Sequence, residues 1–313
     1  MGRFGFIGGR LLQAIPVVLG VTIVSFFILR LIPGDPVLVM LGTHYTPQRA
    51  ALLRANLGLD KPVWDQYFLF MRHLVQGNLG DSVYYRTPVA HLVWQRLPVT
   101  LWLAAYSTVI AIVISVPLAT LSALRKNRAA DQATRTIFLL AFAMPPFWIG
   151  LVLILVFSLH WHLLPISGYG SNVPDHLYNL FLPSLTIALG FAAILIRTLR
   201  NSILNVLDAD YLDTARAKGL SQFRILWRHV LRNALLSGVT VIGVNLSYLI
   251  GSTVVIENVF ALPGLGQLLA SSIFTRDLAI VQGITLVFGL AVVATNLLTD
   301  VTYAALDPRV SYD

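Results

Sequence analysis

Six stretches of the chain are apolar and uncharged over lengths close to the thickness of a bilayer core. The first, Leu11–Leu29, is closed by Arg30 and then by Pro33-Gly34-Asp35-Pro36; Val99–Leu124, Ile137–Leu159, Leu182–Ile196, Leu235–Ile256 and Ala279–Leu298 follow. A helix needs about 20 apolar residues to cross the hydrocarbon, so each stretch is a predicted span. The fourth is short, and Pro183 is placed in its first turn, where a missing N–H costs nothing. The first stretch is longer than the apolar region of a cleavable leader and no small-x-small site follows it, so it reads as an uncleaved anchor. Pro117, Pro145 and Pro146 fall inside or at the edge of spans and predict bends, tolerable where neighbouring groups satisfy the freed carbonyls.

The polar stretches carry local structure of their own. Between the first two spans, Thr46-Pro47 has the form of an N-cap and first helical residue, for a short helix ending at Gly58. Val63, Tyr67, Met71 and Leu74 then recur at helical spacing within Pro62–Gln76, with Trp64, Phe68 and Val75 widening the same face, before a turn at Gly77-Asn78-Leu79-Gly80-Asp81. Between the fourth and fifth spans, Asp208 or Asp210 is placed to cap a helix of two turns whose positive amino end favours the acids that follow. Lys218 suits its carboxyl end and Gly219 its left-handed cap. Ala215 and Ala217 permit close approach by a partner, so this short helix has the look of a plug for a socket. A second helix from Ser221 carries Arg224, Arg228 and Arg232 at intervals of four, a stripe suited to anionic headgroups.

Composition agrees with a membrane protein. Of 313 residues, 57% are apolar and 12% charged, against 45–50% and about 25% in soluble domains; the mean hydropathy is +0.76. The net charge of +8 raises the question of nucleic acid, but its distribution answers it. Arg3 and Arg10, then Arg125, Lys126, Arg128 and Arg135, then Arg197, Arg200, Arg216, Lys218, Arg224, Arg228 and Arg232, and finally Arg309 all fall on one side of the predicted spans, whereas the two short loops opposite carry only Arg276. Lys and Arg concentrate on the cytoplasmic side, so both termini are expected in the cytoplasm and no nucleic-acid partner is expected.

The sequence offers little for catalysis. There is no cysteine, hence no disulfide, zinc thiolate site or cysteine nucleophile. None of Lys61, Lys126 and Lys218 follows the Gly-rich loop that cradles phosphate, so ATP hydrolysis by that route is excluded from this chain. His160 and His162 flank Trp161 at a membrane edge, a common interfacial arrangement and a poor metal site. Arg30, Arg197, Glu257 and Asp300 all sit at span ends, and no span has a carboxylate at its middle. That weighs against an ion-driven secondary transporter or a channel acting alone, and the lack of convergent His, Asp or Glu within the spans weighs against a membrane enzyme.

Four segments in order resemble one family. Asp213-Thr-Ala215-Arg-Ala-Lys-Gly219 resembles the EAA-x3-G loop of ABC importer permeases, with Asp and Thr in place of the first Glu-Ala and His229-Val-Leu231-Arg232 where I-x-L-P trails the motif. Arg10-Leu-Leu-Gln-Ala-Ile-Pro-Val-Val-Leu-Gly20 running on to Leu31-Ile-Pro-Gly-Asp-Pro36, then Leu57-Gly-Leu-Asp-Lys-Pro62 with Gly77-Asn-Leu-Gly-Asp-Ser82, and finally Ile256-Glu-Asn-Val-Phe-Ala-Leu-Pro-Gly-Leu-Gly266 resemble the first, dipeptide-permease-B-like subunit of the dipeptide/oligopeptide/nickel branch. The resemblance implies an all-α integral membrane protein with six transmembrane helices in the type I ABC importer permease fold, with a small extracytoplasmic helical insertion after the first span. The expected organisation is a cytoplasmic tail and first span at 1–32, an extracytoplasmic segment at 33–97, a five-helix core at 98–306 that includes a cytoplasmic coupling loop at 200–233, and a tail at 307–313.

It further implies a non-catalytic subunit in a bacterial inner membrane. A second homologous permease would complete a twelve-span pore, two cytoplasmic ATPases would bind ATP and Mg, with no cofactor in this chain, and an extracytoplasmic binding protein would deliver the substrate. Short peptides are the family's usual cargo; nickel, glutathione and oligosaccharides are alternatives. Under this resemblance Tyr211, Leu212, Asp213, Thr214, Ala215, Arg216, Ala217, Lys218, Gly219 and Leu220 form the helix on which the ATPase pushes. Glu257 and Asn258 end the fifth span, and Pro263 and Gly264 predict a sharp turn into another short helix. These four and Phe260 are gate candidates: either Glu257 meets a peptide's amino group, or the turn is a structural hairpin on the pore rim. The segment from Pro33 to Leu97 is expected to receive the binding protein or roof the pore, or else to be a folded cap without a contact role.

Overall fold

The computed structural model describes residues 3–31, 36–42, 45–56 and 58–306; the Pro33–Asp35 turn, Leu57, and the tail from Asp307 with Arg309 lie outside the described residues. The described chain is almost entirely helical, with one isolated antiparallel bridge between Asp81 and Pro88. Its helices are α1 (Arg3–Leu31), α2 (Pro36–Leu41), α3 (Pro47–Asn56), α4 (Val63–Val75), α5 (Val89–Leu124), α6 (Ala129–Ala143), α7 (Pro146–Leu153), α8 (Val173–Asn179), α9 (Phe181–Leu207), α10 (Tyr211–Ala217), α11 (Gln222–Ile225), α12 (Arg232–Val259), α13 (Leu265–Phe274) and α14 (Leu278–Leu306). π-Helical segments extend α7 through Ile154–His160 and join α11 to α12 through Leu226–Leu231.

Among the described residues, α5, α9, the unbroken rod Gln222–Val259 and Leu278–Thr302 of α14 are each long and apolar enough to cross a membrane. The predicted third span is instead two helices, α6 and α7 with its π-helical extension, meeting at 106°. The cause lies in the sequence: a proline excludes the helical region for the residue before it, so Pro145 and Pro146 hold Met144 and Pro145 extended. Pro117, by contrast, sits inside α5 without ending it, and so does Pro98, which carries that helix ten residues before the predicted Val99 start. The predicted first span falls within α1, whose shorter apolar stretch is Leu12–Phe27. Pro183 does lie in the first turn of α9.

The core is built around α9, which packs along α5 and is flanked by α12, α6 and α7; α14 packs on α12, and α1 on α14. The approach of α5 to α9 is made possible by small side chains. Ser107, Ala111, Ser115, Ala119 and Ala123 recur every four residues on α5, all buried, and such a stripe lets two membrane helices approach closely. The Ser115 hydroxyl reaches the Ala192 carbonyl of α9 at 3.4 Å.

At the end of the bundle that carries α10, the same helices are locked by charge. Arg200 of α9 holds Asp131 of α6 in two parallel bonds, Nε to Oδ1 at 2.7 Å and Nη2 to Oδ2 at 2.6 Å. Ser122 of α5 donates to Oδ1, and the Asn127 N–H donates to Oδ2 at 2.8 Å. Asp131 is fully buried. All its acceptor sites are therefore matched by donors from three elements, the condition under which a buried ion pair is tolerated.

Replacing Asp131 by alanine leaves a buried guanidinium without its partner, which costs about 3–5 kcal/mol. Asp131→Ala is therefore expected to lower the melting temperature in detergent sharply, whereas Asp131→Leu with Arg200→Met recovers much of the loss. Thermal unfolding followed by size-exclusion chromatography measures both.

Candidate functional site

The loop between α9 and α12 forms the end of the molecule that the sequence places in the cytoplasm. The chain turns after Leu207 through backbone bonds from Asp208 N to Leu204 O and from Ala209 N to Val206 O, and α10 begins. Asp210 occupies the N-cap position in helical geometry, and its side chain makes no capping bond. The expected acidic cap is thus not formed, and the first turn closes through Leu212 N to Ala209 O and Asp213 N to Asp210 O. The glycine cap is formed as expected. Gly219 has φ +76°, and its N–H and that of Leu220 return to Arg216 O and Ala215 O, the paired bonds that end a helix at a left-handed residue.

The two faces of α10 have different tasks. Leu212 and Ala215 are buried and join the core cluster that includes Ile203, Ile225 and Val230. Asp213, Thr214, Arg216, Ala217, Lys218 and Gly219 are exposed. Of the two alanines expected to admit a partner, Ala215 therefore seats the helix on its own chain and only Ala217 is open. Tyr211, half exposed, accepts a bond from Asn233 Nδ2 at 3.0 Å, tying α10 to the start of α12. Asp213 and Arg216 pair on the surface at 2.8 Å. Arg224, Arg228 and Arg232 all remain exposed, but the helix that carries them is not a separate element: it continues as the rod of α12, with the π-helical segment between.

At the opposite end, the turn after α12 is rigid. Phe260 is fully buried. Ala261 takes the left-handed conformation, φ +47°, with Leu262 N bonded to Glu257 O at 2.8 Å, and Gly264 leads into α13. Glu257 is not at a wet span end as its position suggested; it is fully buried. Its Oε1 accepts from the Thr100 hydroxyl of α5 at 2.6 Å and its Oε2 from the Gln267 N–H at 3.0 Å, while Thr100 Oγ1 in turn accepts from the Leu265 N–H. A carboxylate on these N–H groups satisfies the amino end of α13. Asn258 is exposed and bonds back to Val254 O at 2.7 Å, and Pro263 is exposed. The structure thus gathers Glu257, Phe260 and Gly264 into one packed turn and leaves Asn258 and Pro263 at its surface.

Two features carried no signal that sequence reading used. A cavity of about 880 Å³ lies between α6 and α9 towards the α10 end, lined by Arg135, Phe138, Phe142, Ile194, Arg197 and Asn201. A smaller one of about 180 Å³ sits at the bend before α7, against Met144, Thr186, Asn245, Tyr248 and Ser252; Phe142 and Ile194 line both. Asp277, also buried, accepts from the Ser82 hydroxyl at 2.6 Å and from the Tyr84 N–H at 3.0 Å, fastening the segment before α5 to the start of α14. Among the described residues no three His, Asp or Glu side chains converge as metal ligands.

The fit around Glu257 predicts an intolerant position. A Cβ at Gly264 would collide with the Glu257 carboxyl group, and one at Gly266 with the backbone of Val254. Gly264→Ala is expected to cost about 1–3 kcal/mol by overpacking and to lower the melting temperature measurably, whereas Pro263→Ala, at the exposed neighbouring position, leaves it nearly unchanged.

The arrangement has counterparts among known proteins. Residues 115–312 match the model of the binding-protein-dependent transport system inner membrane component, and residues 3–104 match the N-terminal region of the corresponding membrane component. The chain is 38% identical to the oligopeptide transport system permease protein AppB of Bacillus subtilis, over 97% of this chain and 98% of that protein. It is 35% identical to the dipeptide transport system permease protein DppB of Escherichia coli, with 98% of each chain covered. Among solved structures, the MetNI methionine ABC transporter in inward-facing conformations aligns with a TM-score of 0.57 at 17% identity, covering 69% of this chain and 96% of that one. That likeness gives the fold, that of type I ABC importer permeases. The chain belongs to the family of binding-protein-dependent transport system inner membrane components, the permease subunits of ABC importers.

Proposed function

We propose that this chain is one permease subunit of an ATP-driven importer of short peptides in a bacterial inner membrane, with both termini in the cytoplasm. It forms half of the pore with a second, homologous permease. Two cytoplasmic ATPases bind ATP and Mg, and an extracytoplasmic binding protein delivers the peptide. The chain itself catalyses nothing. The peptide substrate rests on the names of the relatives, and the orientation on the concentration of Lys and Arg at the α10 end.

The observation that carries the reading is α10. It is anchored inward by Leu212 and Ala215, stopped by Gly219, and offers its remaining surface to solvent. Residues Tyr211 to Leu220 are the coupling element: closure of the ATPase pair displaces α10, and α12 follows because Asn233 holds Tyr211. The adjoining cavities between α6, α9 and α12, which share Phe142 and Ile194, are this chain's contribution to the path of the substrate. The turn formed by Glu257, Asn258, Phe260, Pro263 and Gly264 is a rigid wall of the entrance, in which Glu257 acts on α13 and not on the peptide. The loop that Asp277 holds belongs to the same entrance, where the binding protein docks.

Ala217→Trp places a bulky ring on the open face of α10 without touching the core. It is expected to weaken ATPase docking about tenfold or more, with loss of peptide uptake and of substrate-stimulated ATP hydrolysis while the chain remains in the membrane. Normal transport by this variant would refute the assignment, as would peptide flux through the chain reconstituted without ATPases. For Glu257→Gln, uptake of free and N-acetylated dipeptides is expected to fall equally; selective loss of the free form would show that the carboxylate meets the peptide's amino group.

A further inference from the structure

The helix α4 is pressed against the side of α1 at a depth where water is not the solvent. The Tyr67 hydroxyl hydrogen-bonds Thr22 Oγ1 at 2.9 Å, Tyr67 meets Phe26 edge-to-face and Phe70 meets it at a tilt, with ring centroids 5.2 and 5.7 Å away, and Trp64 meets Phe27 at 6.2 Å. The uncharged run of α1 extends from Leu11 to Leu29, between Arg10 and Arg30, with Gly20 at its middle. At a rise of about 1.5 Å per residue, Thr22 lies about 3 Å and Phe27 about 10 Å beyond that middle. The hydrocarbon half-thickness is about 15 Å. These contacts of α4 with α1 therefore fall within the depth of the acyl chains.

Beyond these contacts the helix keeps an open apolar face. No residue of α4 is buried. Trp64, Phe68 and Val75 are 66, 68 and 84% exposed and fall on one face at helical spacing, with Met71 between them. Arg72 and Asp65 border this face, and His73 and Gln66 lie opposite it. The apolar face is continuous with the open side of α1, where Leu12, Ile15, Leu19 and Ile23 are exposed, because Trp64 is both open and in contact with Phe27. A helix with aromatic and aliphatic residues on one face and polar residues on the other lies in the plane of a membrane interface.

We propose that α4 is an in-plane membrane helix. It lies at the boundary of headgroups and acyl chains in the leaflet around the carboxyl half of α1, with Trp64, Phe68 and Val75 among the acyl chains of phospholipid, His73 towards the headgroups and Asp65 and Arg72 at the edge between them. The segment between the first two spans is then divided in its solvent. The turn held by Asp277 serves the pore entrance, and α4 belongs to the bilayer, fixing the depth of α1 from the side.

The absence of cysteine makes the test direct. Single cysteines introduced as Phe68→Cys, Val75→Cys and His73→Cys, all at exposed positions, are labelled with a nitroxide. The whole chain, co-assembled with its partner subunits, is reconstituted in vesicles of phosphatidylethanolamine and phosphatidylglycerol, and power saturation is recorded with oxygen and with a water-soluble nickel chelate. Labels at 68 and 75 are expected to be reached several-fold better by oxygen than by the chelate, and the label at 73 to show the reverse preference. Equal access of the chelate at all three positions would overturn the proposal in favour of a water-facing helix. Exclusion of both reagents at 68 and 75 would overturn it in favour of a face covered by protein. None of these outcomes depends on whether the chain transports peptides.

Discussion

The close contact of α5 with α9 is the constraint on which the remaining packing rests. Within a bilayer, apolar side chains gain little by leaving lipid for protein, so helices associate where their backbones can approach and disperse against each other. The stripe from Ser107 to Ala123 supplies that approach along most of α5. With α5 and α9 side by side, the ion pair of Asp131 and Arg200 has its geometry fixed at one end, and Thr100 is placed beside Glu257 at the other. α6 is in this way registered against the central pair by Asp131, and α12 and α13 by the shared cluster of Glu257 and Thr100.

Both polar locks follow one design. Each is a single carboxylate that lies out of water and meets donors from more than one helix, with almost no residual exposure. Such groups contribute little net stability compared with a well-packed apolar alternative, but they penalise misalignment heavily, since a shift of one turn leaves a charge unmatched. Under the transport role proposed here, in which helices change their relative positions and return, a penalty on wrong registers serves better than a general gain in cohesion.

Much of the fold was legible because bilayer depth and helical periodicity act on contiguous residues. The spans, the glycine cap of α10, the Thr46 cap of α3 (whose hydroxyl accepts from Arg49 N at 3.3 Å) and the turn before α13 are all local. What the sequence concealed was long-range. Asp131 reads as one acid in a basic loop until α9 brings Arg200 to it, and Glu257 reads as a wet span end until Thr100 and α13 enclose it. The split of α6 from α7 was local and still underread, since two adjacent prolines restrict both preceding residues and remove the tolerance a single proline such as Pro117 enjoys. Ala215 suggests a docking face in the sequence because a small residue on a short helix looks the same whether it accommodates a partner or its own chain. The docking role proposed for α10 rests on chemistry outside this chain, which no internal contact reveals.

The continuity of α11 with α12 gives the molecule a lever. The rod from Gln222 to Val259 is 38 residues long, about 57 Å at the usual rise, and reaches from beside α10 to the Glu257 turn. It packs against both α9 and α14, and its α-helical ladder changes to π-helical at Leu226–Leu231, near the α10 end. Under the coupling role proposed for α10, this continuity joins the pushed end of the chain mechanically to the Glu257 turn.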